Sequence, residues 1–205
     1  MKYSCLAALL LFVFVSTPAL SQGAHRQVSL RQDVISTPIQ AAKKLSVREV
    51  RCLAHIIFTE SRDEPEDGQY EAGWSAWLRR AANLREFGGS DMCRVAYKIS
   101  KRRNSNKLTW QYDGAKVSVR ALVAKSVLEQ RAWDRSVYIA AMILQGQGRP
   151  RRPIMFFCDR RTPGACGWHD SSRSVRYVYT TGNHRMYTDK RFPEFSDLMV
   201  LASSR

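Results

Sequence analysis

The stretch from Ser46 to Glu60 constrains the fold more than any other part of the chain. Ser46 is followed three residues later by Glu49, a pair that caps the start of a helix through reciprocal hydrogen bonds. Apolar residues recur along the stretch at helical spacing, and Pro65 stands beyond its end. We therefore predict a helix from Ser46 to about Thr59 that packs one face into an apolar core.

Glu60 lies at the end of this helix, on its apolar face. Leu53, Ile56 and Ile57 precede it by seven, four and three residues, so the four side chains should share one face. Apolar surroundings raise the pKa of a carboxyl, and a glutamic acid that stays protonated near neutral pH can donate a proton. Glu60 is therefore a candidate general acid. A solvated carboxylate at a frayed helix end is the alternative interpretation.

The rest of the pattern predicts an α+β domain that is mainly α-helical, with a small β element near the C-terminus. The further predicted helical stretches are Gln69–Leu84, Ser90 or Asp91 to about Ser100, and Val117–Gln145 with a break near residues 130–132. The predicted extended segments are Leu108–Tyr112, Ile154–Cys158, Val175–Thr181 and one after the Gly182 turn. Residues 101–107, which are polar and basic, are predicted to form a loop.

The N-terminus has the organisation of an exported protein. Residues 1–21 have the pattern of a secretory signal peptide, with Lys2 ahead of an apolar stretch and the small residues Ala19 and Ser21 at the expected cleavage site. That stretch is short for a transmembrane helix, and an uncleaved anchor is the alternative. Residues 22–45 are predicted to be a flexible lead segment, or a docking helix around 39–44. Residues 46–205 then form one domain, secreted or periplasmic.

The chain is strongly basic, with 33 Lys and Arg against 18 Asp and Glu and a formal charge of +15. Such a charge attracts polyanions. For an exported protein the expected partner is an anionic cell-wall polymer or membrane surface, reached through basic patches, and nucleic acid is less favoured. The basic residues fall in several short clusters, so a merely solvated basic surface is the alternative. We expect a monomer.

Four cysteines lie beyond the signal peptide, and an even number in an exported chain suggests two disulfides with three possible pairings. Cys158 and Cys166 flank the turn-forming pair Pro163-Gly164, which favours a bond between them. A bond between Cys52 and Cys93 then follows by elimination. The spacing of the four cysteines matches no common zinc-binding pattern, so we expect no metal and no other cofactor.

Four motifs follow one another in a recognisable order. The first is a helix that leads into an acidic turn, Leu53-Ala-His-Ile-Ile-Phe-Thr-Glu60, with Glu64-Pro65 and Gly68-Gln69 beyond it. The others are the aromatic and Asp-Gly segment Leu108–Gly114, the helical segment Trp133–Gly146, and the closing Gly182-Asn183-His184-Arg185-Met186-Tyr187. Together they resemble the SleB/CwlJ-type cell wall hydrolases, the family that includes spore-cortex-lytic enzymes. The resemblance covers about residues 46–190.

This resemblance implies a lysozyme-like helical core and an enzyme that cleaves the β-1,4 bond between N-acetylmuramic acid and N-acetylglucosamine in peptidoglycan. It also implies that Glu60 is the catalytic acid. The chain departs from the family in three places. Ser61 and Asp63 replace an Ala and a Gly, and Leu78 replaces the Asn of a Val-Val-Leu-Asn-Arg run. A role that this Asn has in the family is therefore not carried over to this chain.

A single carboxylate on an apolar face favours a lytic transglycosylase, in which the C6 hydroxyl of the sugar, rather than water, attacks the anomeric carbon. A hydrolase would need a second carboxylate. The candidates for it lie in the polar turn and are Asp63, Glu64, Glu66 and Asp67. Solvated charges at a helix start are the alternative interpretation of these residues. A calcium site there lacks EF-hand spacing. The competing functions are a non-catalytic wall-binding module and a secreted basic binder of nucleic acid or membrane.

Four further residues are candidates for substrate binding: Gln69, Trp110, His184 and Tyr187. The resemblance places His184 and Tyr187 at the wall of a groove, where a neutral histidine could bond a sugar; a histidine satisfied inside the turn is the alternative. Trp110 could stack on a sugar ring or fill the core. Gln69 could bind substrate or cap the second helix.

Overall fold

Helices account for about half of the residues that the structure describes. A computed structural model describes residues 45–101 and 108–198, all within one compact unit, Lys43–Arg205. The predicted signal peptide and nearly all of the predicted lead segment lie outside the described residues, as does the loop at 102–107. The helices are α1 Val47–Ser61, α2 Glu66–Ala82, α3 Met92–Ala96, α4 Val119–Val123, α5 Val127–Leu144 and α6 Gly167–Ser171. Two short 3-10 turns span Arg85–Phe87 and Asp113–Lys116.

The strands form two small antiparallel sheets. β1 Ile99–Lys101 pairs with β2 Leu108–Trp110. The second sheet, near the C-terminus, has the order β3-β5-β4, from β3 Phe156–Asp159, β4 Val175–Thr181 and β5 His184–Asp189. The predicted fold class, α+β and mainly helical with a small β element near the C-terminus, is therefore confirmed. The finer expectation of a lysozyme-like core stays a prediction.

Helix α1 forms the centre of the core, as its sequence predicts. Ser46 is its N-cap, and the Ser46 hydroxyl accepts a hydrogen bond from the Glu49 N–H at 3.4 Å. Leu53, Ile56 and Ile57 are buried and pack against α2 and α5. This packing places the last turn of α1, with Glu60, against the interior of the protein.

Helix α2 begins and ends earlier than the predicted range Gln69–Leu84. Pro65 occupies its N-cap, where a residue without an N–H removes no helical hydrogen bond. The helix ends because Asn83 adopts a left-handed conformation, φ 51°, and its N–H donates to the Arg80 carbonyl. The acidic turn is therefore shorter than expected, and Glu66 and Asp67 belong to the first turn of α2.

Three other predicted boundaries are also wrong. The break in the long helical stretch lies at residues 124–126, because the Ser126 hydroxyl accepts from the Glu129 N–H and caps α5. Helix α3 ends at Ala96 rather than Ser100, since the chain then enters β1. Strand β3 begins at Phe156 rather than Ile154.

The predicted disulfides are both present. Cys52 in α1 is bonded to Cys93 in α3, and Cys158 in β3 is bonded to Cys166 next to α6. The first bond attaches a short helix to the central one, and the second closes the Pro163-Gly164 turn. Two disulfides fit an exported protein, because such bonds persist in oxidising compartments. Among the helices in the described part of the chain, none is long and apolar enough to cross a membrane.

Candidate active site

Glu60 meets the backbone of Gly114 at the end of α1. The Gly114 N–H donates a hydrogen bond to Glu60 Oε1 at 2.7 Å. Gly114 belongs to the 3-10 turn Asp113–Lys116, so a segment 54 residues further along the chain holds the carboxylate. Glu60 itself is half-buried. The carboxylate is therefore fixed in orientation, and part of the residue remains within reach of solvent.

The surroundings of Glu60 raise its pKa to about 6. Burial is the main cause, because it penalises the charged carboxylate, and the Gly114 hydrogen bond opposes it by stabilising that charge. The negative charge of Asp113 raises the pKa further, whereas the positive charge of Arg79 lowers it. A carboxyl with this pKa can exist in both protonation states near neutral pH, as a residue that first donates and then accepts a proton must.

The 3-10 turn approaches α1 so closely that residue 114 must be glycine. A Cβ atom there would overlap the Thr59 side chain and lie 2.9 Å from Glu60 Oε1. The Gly114 carbonyl also accepts from His55 Nε2 at 3.0 Å. In the neutral ring, His55 Nδ1 then accepts from the Tyr97 hydroxyl at 3.1 Å. The peptide that orients Glu60 is therefore held from its other side by a hydrogen-bonded chain.

Arg79 is a buried cation near this site. Its Nε donates to the Met155 carbonyl at 2.6 Å, and its guanidinium carbon lies 4.9 Å from the centre of the Tyr112 ring and 4.8 Å from that of Phe156. Only 6% of the residue is exposed. Contact with aromatic faces offsets part of the loss of hydration. No carboxylate among the described residues forms an ion pair with Arg79.

Glu64, in the acidic turn between α1 and α2, is hydrogen-bonded to the turn between β4 and β5. Its Oε2 accepts from the Asn183 N–H at 2.7 Å, and its Oε1 accepts from the Asn183 side chain at 3.0 Å. Gly182, at φ 52°, leaves room for this contact, since a Cβ atom there would overlap Glu64 Oε2. Both carboxylate oxygens of Glu64 are thus engaged by the turn between β4 and β5.

The other predicted acidic candidates take no part in the contact between Glu64 and Asn183. Asp63, Glu66 and Asp67 are exposed. Asp113 was not among the predicted candidates, yet it precedes Gly114 directly and its charge acts on Glu60. Of the carboxylates near the site, Asp113 is therefore the one with an electrostatic effect on the candidate acid.

Gln69 is buried beneath the acidic turn. Its Nε2 donates to the Glu64 carbonyl at 2.9 Å, and 1% of the residue is exposed. The side chain therefore braces the backbone of the turn that precedes α2. The role of Gln69 in substrate binding stays a prediction.

His184 and Tyr187 are buried along β5. Burial lowers the pKa of His184, so its ring is neutral near pH 7, and its centre lies 4.9 Å from that of the Phe157 ring. The Tyr187 hydroxyl donates to Asp170 at 2.8 Å, and burial with this bond raises the pKa of Tyr187 to about 12. The Tyr187 hydroxyl is thus satisfied inside the protein, whereas His184 Nδ1 is buried without a hydrogen-bond partner among the described residues. The contact of both side chains with substrate stays a prediction.

Trp110 lies at the end of β2, opposite Ile99 of β1, and is half-buried. Two residues later Tyr112 is buried and precedes the 3-10 turn that carries Gly114. The aromatic segment therefore leads directly to the candidate acid. Stacking of Trp110 on a sugar ring stays a prediction.

Four contributors to the site were not predicted as site residues: His55, Arg79, Asp113 and Gly114. Gly114 could have been found, because it is the glycine of the Asp-Gly motif. Arg79 could also have been suspected, since a cation at the end of the apolar run Ser75-Ala-Trp77-Leu78 falls on a buried face. His55 carried no such signal, because its partners lie 42 and 59 residues away in the chain.

No protein-family model, no curated protein and no solved structure matches this chain significantly. The resemblance to the SleB/CwlJ-type hydrolases therefore rests on the motifs alone. In the described ranges, no group of three or more His, Cys, Asp or Glu side chains could hold a metal ion.

Proposed function

We propose that this protein is an exported peptidoglycan-cleaving enzyme that cuts the β-1,4 bond between N-acetylmuramic acid and N-acetylglucosamine. It acts as a lytic transglycosylase with Glu60 as its single general acid and base. The observation that carries the proposal is the environment of Glu60. Its carboxyl is half-buried, oriented by the Gly114 N–H and raised to a pKa of about 6. These are the properties that proton transfer to a glycosidic oxygen requires.

The proton passes through Glu60 twice. Protonated Glu60 donates to the glycosidic oxygen as the bond from that oxygen to C1 of the muramic acid breaks, which releases a free 4-hydroxyl on the N-acetylglucosamine. The C6 hydroxyl oxygen then bonds to C1 and loses its proton to the Glu60 carboxylate. The product is a 1,6-anhydro sugar, and Glu60 returns to its acid form without any water being consumed.

Glu64 supports the choice of a single carboxylate, because both of its oxygens are bonded to Asn183. A hydrolase is the second candidate, and Asp113 is the observation that favours it. Its charge contributes to the raised pKa of Glu60, as a carboxylate close to an acid would. In this version Asp113 would activate water or act as a nucleophile.

The decisive experiment is digestion of purified peptidoglycan by the mature protein and by its Glu60→Gln and Asp113→Asn variants, with products identified by mass spectrometry. We expect anhydro-muropeptides from the wild type and from Asp113→Asn, and none from Glu60→Gln. Reducing-end products that vanish in Asp113→Asn would mean hydrolysis. If the wild type and both variants bind the wall but release no products, the enzyme proposal is wrong and the protein is a wall-binding module.

A further inference from the structure

A cavity of about 710 Å³ lies on the side of the protein formed by α3, β1 and the 3-10 turn Arg85–Phe87. Its lining residues are Arg48, Asn83, Arg85, Gly88, Gly89, Cys93, Arg94, Tyr97, Lys98 and Ile99. Four of these side chains are cationic and none is acidic. A concave surface lined by one sign of charge concentrates the electrostatic potential and attracts ligands of the opposite sign.

Three of the four cations are left without a partner in the described ranges. Arg48 is bonded to Asp91 at 2.8 Å, whereas Arg85, Arg94 and Lys98 form no ion pair with any other described residue. Nearby arginines are paired: Arg80 with Glu49 at 2.9 Å and Arg191 with Glu86 at 2.7 Å. The uncompensated positive charge in this region is thus gathered in the cavity.

The walls of the cavity are held in place by covalent and hydrogen bonds. Cys93 is tied to Cys52 of the central helix. The Asp91 side chain accepts from the Arg94 N–H at 2.9 Å and so caps α3, and the Gly89 N–H donates to the Leu84 carbonyl at 3.0 Å. A preformed site loses less conformational entropy when a ligand binds than one that must first be ordered.

We propose that this cavity binds phosphate groups of an anionic polymer or headgroup. The three uncompensated cations carry a combined charge of +3, which attracts a phosphomonoester of charge about −1.5 to −2 more strongly than a single carboxylate. Arginine supplies a planar fork of donors that bonds phosphate oxygens in pairs, and lysine adds a compact charge. Asn83 and Tyr97 offer further polar groups on the wall. This inference stands independently of glycan cleavage.

Hydrogen bonds through Tyr97 and His55 connect the cavity to the candidate active site. Tyr97 lines the cavity, and the Tyr97 hydroxyl is 3.1 Å from His55, whose other nitrogen is bonded to the Gly114 carbonyl. A polyanion held in the cavity would therefore lie beside the chain of contacts that ends at Glu60. Such a site would retain the protein at a phosphate-bearing surface while leaving Glu60 unoccupied.

The test uses two charge-matched triple variants of the mature protein. Arg85→Gln, Arg94→Gln and Lys98→Gln remove the three uncompensated cations of the cavity. Lys125→Gln, Arg131→Gln and Arg135→Gln remove three exposed cations from the α4–α5 region, none of which lines the cavity or forms an ion pair with a described residue. Circular dichroism and thermal unfolding establish that both variants fold as the wild type does.

Binding is measured by calorimetry with inorganic pyrophosphate at fixed salt, and by sedimentation with phosphatidylcholine vesicles that contain phosphatidic acid. We expect the cavity variant to bind at least tenfold more weakly and the control variant to bind within twofold of the wild type. If the affinity for pyrophosphate falls only in the cavity variant, a soluble or polymeric phosphate is enough to occupy the cavity. The same dependence with vesicles alone identifies a lipid headgroup. Equal losses in both variants, or no loss in either, would overturn the proposal.

Discussion

At the scale of single residues, the state of Glu60 is set by opposing influences. Burial raises its pKa to about 6, while the Gly114 N–H favours the carboxylate. Because the folded protein holds this carboxyl at a higher pKa than the ordinary value of 4.5, it penalises the charged form. The penalty is fully present above about pH 6 and disappears as the pH falls through 6 towards 4.5. The residue best suited to donate a proton is thus one that weakens the fold at neutral pH.

Glu60→Gln should therefore stabilise the protein at pH 8 while abolishing glycan cleavage. The shift from 4.5 to about 6 corresponds to a gain of at most about 2 kcal/mol in the free energy of unfolding. The gain should fade between pH 6 and 4.5, as urea unfolding at several pH values would reveal. Asp63→Asn, which removes an exposed carboxylate from the adjacent turn, is the control. A constant difference between variant and wild type across this pH range would contradict the assignment.

Gly114→Ala tests the orientation of Glu60 by the backbone. The new methyl group would overlap Thr59 and crowd Glu60 Oε1, so the 3-10 turn must move and the hydrogen bond to Glu60 should lengthen or break. We expect cleavage of peptidoglycan to fall by about 100-fold, the scale on which a small misplacement of a reacting group acts. The matched change is Gly167→Ala, where a Cβ atom meets nothing within 4 Å. Equal rates for the two variants, measured by muropeptide release, would argue against a positioning role.

At the scale of elements, the acidic turn between α1 and α2 is fastened to the turn between β4 and β5. Both carboxylate oxygens of Glu64 accept hydrogen bonds from Asn183, and Gln69 Nε2 donates a hydrogen bond to the Glu64 carbonyl. Arg161 approaches the same carboxylate at 3.7 Å. The small sheet is therefore attached to the helical core where the chain leaves Glu60, through the buried Glu64 carboxylate. A second hydrogen bond, from the Tyr179 hydroxyl of β4 to Glu71 of α2 at 2.7 Å, also links the sheet to the core.

Glu64→Ala should loosen that attachment. The Asn183 N–H would lose its acceptor at a partly buried position, and leaving such a group unpaired lowers the free energy of unfolding by about 1–3 kcal/mol at most. Asp63→Ala, one residue earlier and exposed, should change it by less than about 0.5 kcal/mol. Hydrogen exchange of the Asn183 amide would localise the effect. Slow exchange at that amide in the Glu64→Ala variant would show that it has another acceptor.

At the scale of the whole molecule, two disulfides reinforce a domain that carries a high positive charge. Cys52–Cys93 spans 41 residues and joins two helices, whereas Cys158–Cys166 spans 8 residues around one turn. Restriction of the unfolded chain grows with the length of the closed loop. The longer bond should therefore contribute more to global stability, and it also holds a wall of the basic cavity.

Replacing each pair of cysteines by serine separates the two contributions. On the loop-entropy model, losing Cys52–Cys93 should lower the free energy of unfolding by about 4 kcal/mol and losing Cys158–Cys166 by about 2.5 kcal/mol. Urea unfolding of the two double variants under identical conditions gives the comparison. A larger loss for the shorter loop would mean that local packing around β3 and α6 outweighs chain entropy.

Much of the architecture is readable from local patterns. The Ser46 and Glu49 pair and the apolar face of Leu53 and Ile57 predict α1, because capping and helical periodicity involve residues a few positions apart. The alternation at Val175–Thr181 predicts β4 for the same reason. The predicted boundaries were wrong where a capping residue and the apolar pattern point to different ends within a few residues. At Ser126, the capping hydrogen bond starts α5 earlier than the apolar pattern indicates.

Turn residues, the even number of cysteines and helical periodicity favoured the two disulfide pairings, the mainly helical α+β class and a position for Glu60 on an apolar helix face, because these signals are local or compositional. The groups that surround Glu60 became apparent only in the folded protein. His55, Arg79 and Gly114 reach the site from three different segments, and Glu64 turned out to be bonded to Asn183, 119 residues away. Such contacts depend on how the helices pack, and packing brings together residues whose separation along the chain leaves no local pattern to read.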